Sequence, residues 1–353
     1  METLKTGHRQ YNAIDIMKVI MALLVVMIHK PFFSPEHPFA KYISEEVIAA
    51  LAVPFFFIVS SFLCFKKMNG TKADNKKFID FEKRLLILYI VWTIIYVPSS
   101  LIKFYGIRLE GMTFKLFLSA LMVIAKKFFL SSSFVHLWYV NTLMISVALL
   151  FLMRKKLSDK AVLGIAFAAF SVSNLFPYLY PAVPSLESFS EACPPILSYV
   201  FGKGLFCTAA GMFLSDKELK SDQVKFSLAP IALVVLILFS VFSYEYRNTA
   251  IDTFRYFLVI SCSVSIFIMC RDLRLKDSGV YKTLRNYSSL IYFTHMLMIS
   301  EIFELIAETT GIPAFYYNKP LIYLTTILFA VIVSTVIILL SKTRCFKWMK
   351  YLY

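Results

Sequence analysis

Apolar residues gather along this chain in runs of about 17 to 25, the length a helix needs to cross a bilayer, separated by short polar stretches rich in Lys and Arg. Spans are predicted at 14–33, 45–65, 84–104, 136–153, 160–176, 196–214, 226–244, 253–270, 287–309 and 320–341. An eleventh apolar stretch, 114–130, carries Lys115 at its start and Lys126 and Lys127 near its end, so its uninterrupted core is short for a crossing. The expected fold is all-α, a polytopic membrane bundle of about ten transmembrane helices plus one interfacial or re-entrant helix at that stretch.

Charge fixes the parity. With 114–130 kept on one side, 25 Lys and Arg fall in one set of loops and 10 in the other, leaving Lys18 and Lys203 inside spans. If that stretch crossed, Arg154, Lys155 and Lys156 would change sides and the bias would weaken. The positive-inside rule therefore favours a multi-pass protein of the cell membrane with both termini cytoplasmic.

Composition agrees. At 59% hydrophobic residues, mean hydropathy +0.70 and only 17% charged residues, the chain has too little polar surface to cover a soluble globule. The net charge of +15 reads as loop charge at a membrane face rather than as nucleic-acid binding. Six scattered cysteines without a CxxC pair argue against a disulfide or zinc framework, and no metal site is expected. The first apolar stretch contains Lys18 and no small-residue cleavage signal follows it, so it reads as a retained span. No loop is long enough to fold alone, and no fixed-period repeat appears.

Ionisable groups at membrane depth mark function by default. Lys18 and His29 stand eleven residues apart in the first span. That is nearly three helical turns, so they share one stripe and lie about 16 Å apart along the axis. Asp15 is three residues before Lys18, a spacing that allows an ion pair. Taken singly, Lys18 reads as a snorkelling lysine with a local carboxylate, and His29 as a satisfied polar residue. In the second span, VPFFFIVSSFLCF, Pro54 bends the helix while Ser60 and Ser61 satisfy backbone groups or line a polar interior. Lys83 and Arg84 open the third span and suit either loop charge or a phosphate grip.

The segment 136–141, HLWYVN, puts His136, Trp138, Tyr139 and Asn141 at the head of a span. An aromatic belt explains the two rings better than it explains the histidine and the amide. Tyr292 and His295 lie three apart in LIYFTHML, followed by Glu301 and Glu304, where helix-to-helix hydrogen bonding is the plain alternative.

Taken in order, Lys18 and His29 as K-x10-H preceded by Asp15, VPFFFIVSSFL (53–63), HLWYV (136–140) and YFTH (292–295) resemble acyltransferase family 3, the bacterial integral-membrane O-acyltransferases. The likeness runs over essentially the whole chain, which on this reading is one membrane-embedded domain, 1–353. The family often has Gly where this chain has Ser61. Some members carry a fused extracytoplasmic hydrolase-like domain, so the expectation here is transfer completed by the bundle or by a separate partner.

The resemblance implies an acyl group, usually acetyl, taken from cytoplasmic acyl-CoA and placed on a hydroxyl of an extracytoplasmic glycan, with the histidine of the K-x10-H pair essential. His29 would serve as general base toward the hydroxyl or carry the acyl group transiently. Lys18, with Lys83 and Arg84, would hold the anionic CoA. Asp15, Ser60, His136, Trp138, Tyr139, Asn141, Tyr292 and His295 would bind substrate or support the site. The competing function is a transporter or flippase of a glycan or lipid-linked intermediate, since midplane polar residues also mark transport paths. The acceptor, the acyl group and the oligomeric state are not legible in the sequence.

Overall fold

Inside a bilayer every backbone N–H and C=O must find its partner within the protein, which a helix does along its own length. The computed structural model describes residues 10–68, 74–105, 113–217, 222–298 and 318–353, and a helix stands at each of the ten expected spans. These are α1 (Asn12–His29), α2 (Pro38–Tyr42) leading into α3 (Ala52–Lys66), α4 (Asn75–Tyr105), α5 (Phe114–Leu130), α6 (Trp138–Arg154) and α7 (Asp159–Leu175). After them come α8 (Pro184–Ala192), α9 (Pro195–Tyr199), α10 (Leu205–Ser215), α11 (Asp222–Phe242), α12 (Thr249–Asp272), α13 (Gly279–Leu297) and α14 (Lys319–Leu340). No strand occurs among the described residues. Among the described residues eight helical segments are long and apolar enough to cross a membrane, and α11 adds a shorter apolar stretch.

The first helix ends at His29, four residues short of the expected boundary, because Lys30 precedes Pro31 and is forced out of the helical region to φ −134°, ψ 95°. The second crossing starts earlier than expected. It runs from Pro38 through a π-helical turn, Ile43–Ile48, and a 3₁₀ turn, Ala49–Leu51, into α3. Those loosened turns lie just before Pro54, and the Ser263 hydroxyl donates to the Leu51 carbonyl at 3.1 Å.

The doubtful stretch forms α5. Its buried residues are Ala120 and Ile124, which join Leu101 and Val97 of α4. Its far end reaches Tyr89, whose hydroxyl donates to the Phe128 carbonyl at 3.0 Å. Since Tyr89 lies about halfway along α4, α5 descends beside that helix and stops midway. The chain turns there, with Asn141 donating to the Phe128 and Ser131 carbonyls, and α6 completes the crossing. The segment is re-entrant, and Phe114–Arg154 makes one candidate crossing among the described residues.

Helices α1 and α13 pack side by side in the same direction. Asp15 meets Arg285 at one end and His29 meets His295 at the other. Helix α14 runs back against α13, where Tyr287 and Thr335 share a hydrogen bond of 2.7 Å. On the far side α3 and α10 press backbone to backbone. A Cβ added at Gly211 would lie 2.2 Å from the Ile58 carbonyl oxygen, and Ser61 donates to the Thr208 carbonyl at 2.7 Å. The bundle thus has a basic end, marked by Lys18, and a histidine end, marked by His29.

Candidate active site

The basic end is built from four helices. Asp15, 3% exposed, accepts both arms of Arg285, with Nε to Oδ1 at 3.0 Å and Nη2 to Oδ2 at 2.7 Å. Such a two-pronged pair satisfies the carboxylate in full. The Lys18 ammonium stands 4.0 Å from the same carboxylate and is itself largely enclosed. The other charges acting on Lys18 are Arg285, Arg84 and Lys67, all repulsive. Lys18, Arg84, Arg285 and Lys67 thus gather at this end, with the Asp15 carboxylate between Lys18 and Arg285. Lys83 and Arg84 are both exposed on α4, and Arg84, not Lys83, acts on the Lys18 charge, since one helical residue turns a side chain by about 100°.

At the histidine end three imidazoles converge. The His29 ring lies 5.3 Å from His295, and His136 lies 5.5 Å from His295, centroid to centroid. His136 and His295 are buried, whereas His29 is only half-buried. His295 Nδ1 sits 3.1 Å from the Ile291 carbonyl. A carbonyl can only accept, so Nδ1 carries the proton and Nε2 presents a lone pair. That Nε2 is buried without a hydrogen-bond partner, as are both ring nitrogens of His136. Such orphans are rare in a native interior and call for an explanation. Among the described residues no group of His, Cys, Asp and Glu is set to hold a metal ion, the histidines included.

Aromatic rings wall this end. Tyr292 donates its hydroxyl to the His136 carbonyl, and its ring lies 5.6 Å from both His136 and Tyr139. The Tyr139 and Ser60 hydroxyls share a hydrogen bond of 3.1 Å. Tyr96 donates to the Phe293 carbonyl at 2.5 Å and sets its ring 4.9 Å from His136. Trp138 stands further out against Tyr199, at 5.0 Å. Asn141 spends its amide on the turn after α5. Of the residues expected from sequence, His29, His136, His295, Tyr292, Tyr139 and Ser60 come together here, Asp15, Lys18 and Arg84 come together at the basic end, and Asn141 holds backbone. Glu301 and Glu304 lie outside the described residues.

The two ends are held apart by helix rise. Lys18 to His29 is about 16 Å on α1, Arg285 to His295 about 15 Å on α13, Arg84 to Tyr96 about 18 Å on α4, and Phe56 to Lys67 about 16 Å on α3. Phe56 belongs at the histidine end because its ring meets Tyr139 and Tyr292. Between Lys18 and His29 the α1 stripe carries Ala22 and Val25, both buried. Arg285, Lys67 and Tyr96 were not singled out from sequence. Arg285 had a signal, since it precedes Tyr292 by seven residues, two helical turns on one stripe; Lys67 and Tyr96 had none.

Comparison with known proteins places these features in a family. The model described as "Acyltransferase domain" matches residues 11–340. An Enterococcus faecalis protein named amino-acid racemase is 24% identical over 311 residues, covering 83% of this chain and 41% of the relative. A second of the same name and organism is 26% identical over 183 residues, covering 52% of this chain and 24% of the relative. The chain thus spans well under half the length of either. No solved structure matches it.

Proposed function

This chain belongs to the acyltransferase domain family and is a multi-pass membrane protein, and from that premise we propose that it moves an acyl group from cytoplasmic acyl-CoA to a hydroxyl of an extracytoplasmic glycan, acetyl being the simplest group. The observation that carries this reading is the double pairing of α1 and α13. One pair makes a cationic mouth and the other a histidine cluster, on shared stripes about 16 Å apart.

The donor is anionic, and the mouth is the place for it. Among the described residues Arg84 and Lys67 make no ion pair with Asp15, which holds Arg285 by both oxygens and Lys18 at 4.0 Å. Phosphates of the CoA moiety would sit there, with the pantetheine arm directed along the bundle interior toward His29.

At the other end His29 is the accessible imidazole. A hydroxyl attacks a thioester only as its proton leaves, and neutral imidazole takes that proton near neutral pH. The oxygen then bonds to the acyl carbon, the C–S bond breaks, and the thiolate of CoA receives the proton. His295 is a positioning residue. Its ring lies 5.3 Å from that of His29 and its Nε2 carries a lone pair, so an N–H of His29 turned toward it would leave the other His29 nitrogen free to act as base. Passage through an acyl-histidine fits the same geometry. The name of the two Enterococcus proteins describes chains more than twice as long as the matched stretch, and racemisation is not part of this proposal.

The test is transfer of label from [14C]acetyl-CoA into the glycan of membranes containing the protein. His29→Ala should lower the rate by roughly 10²-fold or more while membrane insertion is unchanged. Equal labelling by wild type and His29→Ala would overturn the mechanism.

A further inference from the structure

A recess of about 210 Å³ lies at the histidine end, and none of its lining residues belongs to the acyl-transfer site. Pro35, in the loop after α1, and Pro38, Lys41 and Tyr42 of α2 contribute to it. Glu45 and Glu46 join them from the π-helical turn Ile43–Ile48, and Arg247 from the loop after α11. Turns of π-helix often mark functional positions.

The charges of this wall are spent on one another. Lys41 pairs with Glu45 at 3.9 Å. Glu46 holds Arg255, which donates from Nη2 to its carboxylate at 3.0 Å and from Nη1 to its carbonyl. Arg247 lays its guanidinium over the Tyr244 and Tyr42 rings, at 4.2 and 5.0 Å, and donates from Nε to the Tyr244 carbonyl at 2.9 Å. Lys41 and Arg247 balance Glu45 and Glu46, so a ligand of net charge meets no excess of the opposite sign.

The unsatisfied groups are of both hydrogen-bonding kinds. Tyr42 is 2% exposed and its hydroxyl has no hydrogen-bond partner, nor have Glu45 Oε1 and Arg255 Nε. The guanidinium nitrogen can only donate, the carboxylate oxygen accepts, and the phenol does both. Buried orphans of this kind call for an explanation. A ligand that answers all three must bring donors and acceptors close together, and a hydroxyl group supplies both from one atom. The proline rings and the Tyr42 ring add apolar surface, which favours a partner with C–H groups of its own over water. The volume equals about seven waters at about 30 Å³ each, room for one hydroxylated ring. Pro35 follows His29 by six residues, so their backbones are at most about 20 Å apart.

We propose that this recess binds one sugar ring, anchoring a glycan whose neighbouring residues reach His29. That this glycan is the acyl acceptor rests on the acyl-transfer reading; the recess as a sugar site does not.

Saturation-transfer NMR on the purified full chain, in nanodiscs prepared without sugar detergents, tests this with the methyl glycosides of glucose, galactose, mannose and N-acetylglucosamine. At least one should bind and take up saturation through its ring C–H protons. Tyr42→Phe, which removes a hydroxyl and leaves charge and ring in place, should weaken that binding about fivefold, and Glu45→Gln about tenfold. Lys160→Gln, at an exposed lysine of the basic end, should leave it unchanged. Binding of none of the four would make the recess a place for water alone and overturn the proposal. Equal binding by wild type, Tyr42→Phe and Glu45→Gln would put the sugar elsewhere, and displacement by equimolar glycine or inorganic phosphate would mark a site that reads charge; either result also overturns it. If Glu45→Gln does not fold, Tyr42→Phe decides alone. A wild-type protein that binds the glycoside and transfers no acetyl would reject the acyl-transfer reading and leave the recess standing, whereas one that transfers acetyl and binds no glycoside would reject the recess alone.

Discussion

At the scale of single residues, the site is defined by which polar atoms are committed and which are free. Asp15 holds Arg285 through both oxygens and pairs with Lys18, three residues on, only at 4.0 Å. Lys18→Ala should therefore raise the KM for acyl-CoA by about tenfold, as expected for losing one charge-assisted contact, while the KM for the acceptor stays near its wild-type value. Paired titrations of donor and acceptor read this directly, and a rise confined to the acceptor would remove Lys18 from the donor site. His295 is committed through Nδ1 to Ile291 and free at Nε2. His295→Phe keeps a ring of similar size and deletes the lone pair. It should lower kcat by roughly 10- to 100-fold with both KM values nearly unchanged. Comparable losses in KM would mark His295 as a binding or structural residue. The sequence disclosed the members of this cluster better than their partners. His29, His136 and His295 stood out because imidazole is rare in apolar helices. The Asp15–Arg285 pair spans 270 residues, and nothing local to either residue announces it.

At the scale of elements, periodicity and length gave the helices, whereas their irregularities came from contacts that a one-dimensional pattern does not contain. The end of α1 is an exception that was legible, because Pro31 dictates the conformation of Lys30. The π-turns at Ile43–Ile48 and Val200–Gly204 were not, since the first straddles the start of a run that reads as ordinary helix and the second lies inside one. The re-entrant course of α5 was half legible: lysines at its ends argued against a crossing, but its depth is set by Tyr89 and Asn141 on other helices. The tightest helix contact has a sequence signal only in hindsight. Gly211 admits the Ile58 carbonyl to within reach of its own backbone, and Ser61 adds its hydroxyl bond to Thr208 one turn away. This explains a serine where family members often have glycine, because a hydroxymethyl group fits there when it donates to a neighbouring carbonyl. Gly211→Ala must push α3 from α10, at a cost of about 1–3 kcal/mol. A lowered melting temperature in detergent is expected, with activity lost in parallel because α3 carries Ser60 and Phe56. An unchanged melting temperature would mean that the two helices separate freely.

At the scale of the whole molecule, the proposed reaction depends on which end faces the cytoplasm. The basic end gathers Lys18, Lys67, Arg84 and Arg285, and the positive-inside rule predicts that this end faces the cytoplasm. Acyl-CoA arrives only from the cytoplasm, so the donor mouth and the charge rule must agree if the acyl group is to cross. Two exposed positions separate the alternatives. His37 lies just beyond α1 at the histidine end, and Lys160 lies at the start of α7 at the basic end. In a variant stripped of its six native cysteines, His37→Cys should react with an impermeant thiol reagent added to intact cells. Lys160→Cys should stay unlabelled until the cells are opened. The reverse pattern would put His29 beside the cytoplasm and the cationic mouth outside. An acyl-CoA molecule would then meet the histidine cluster without passing Lys18, and the 16 Å separation along α1, set by helix rise, would no longer have a part in moving the acyl group.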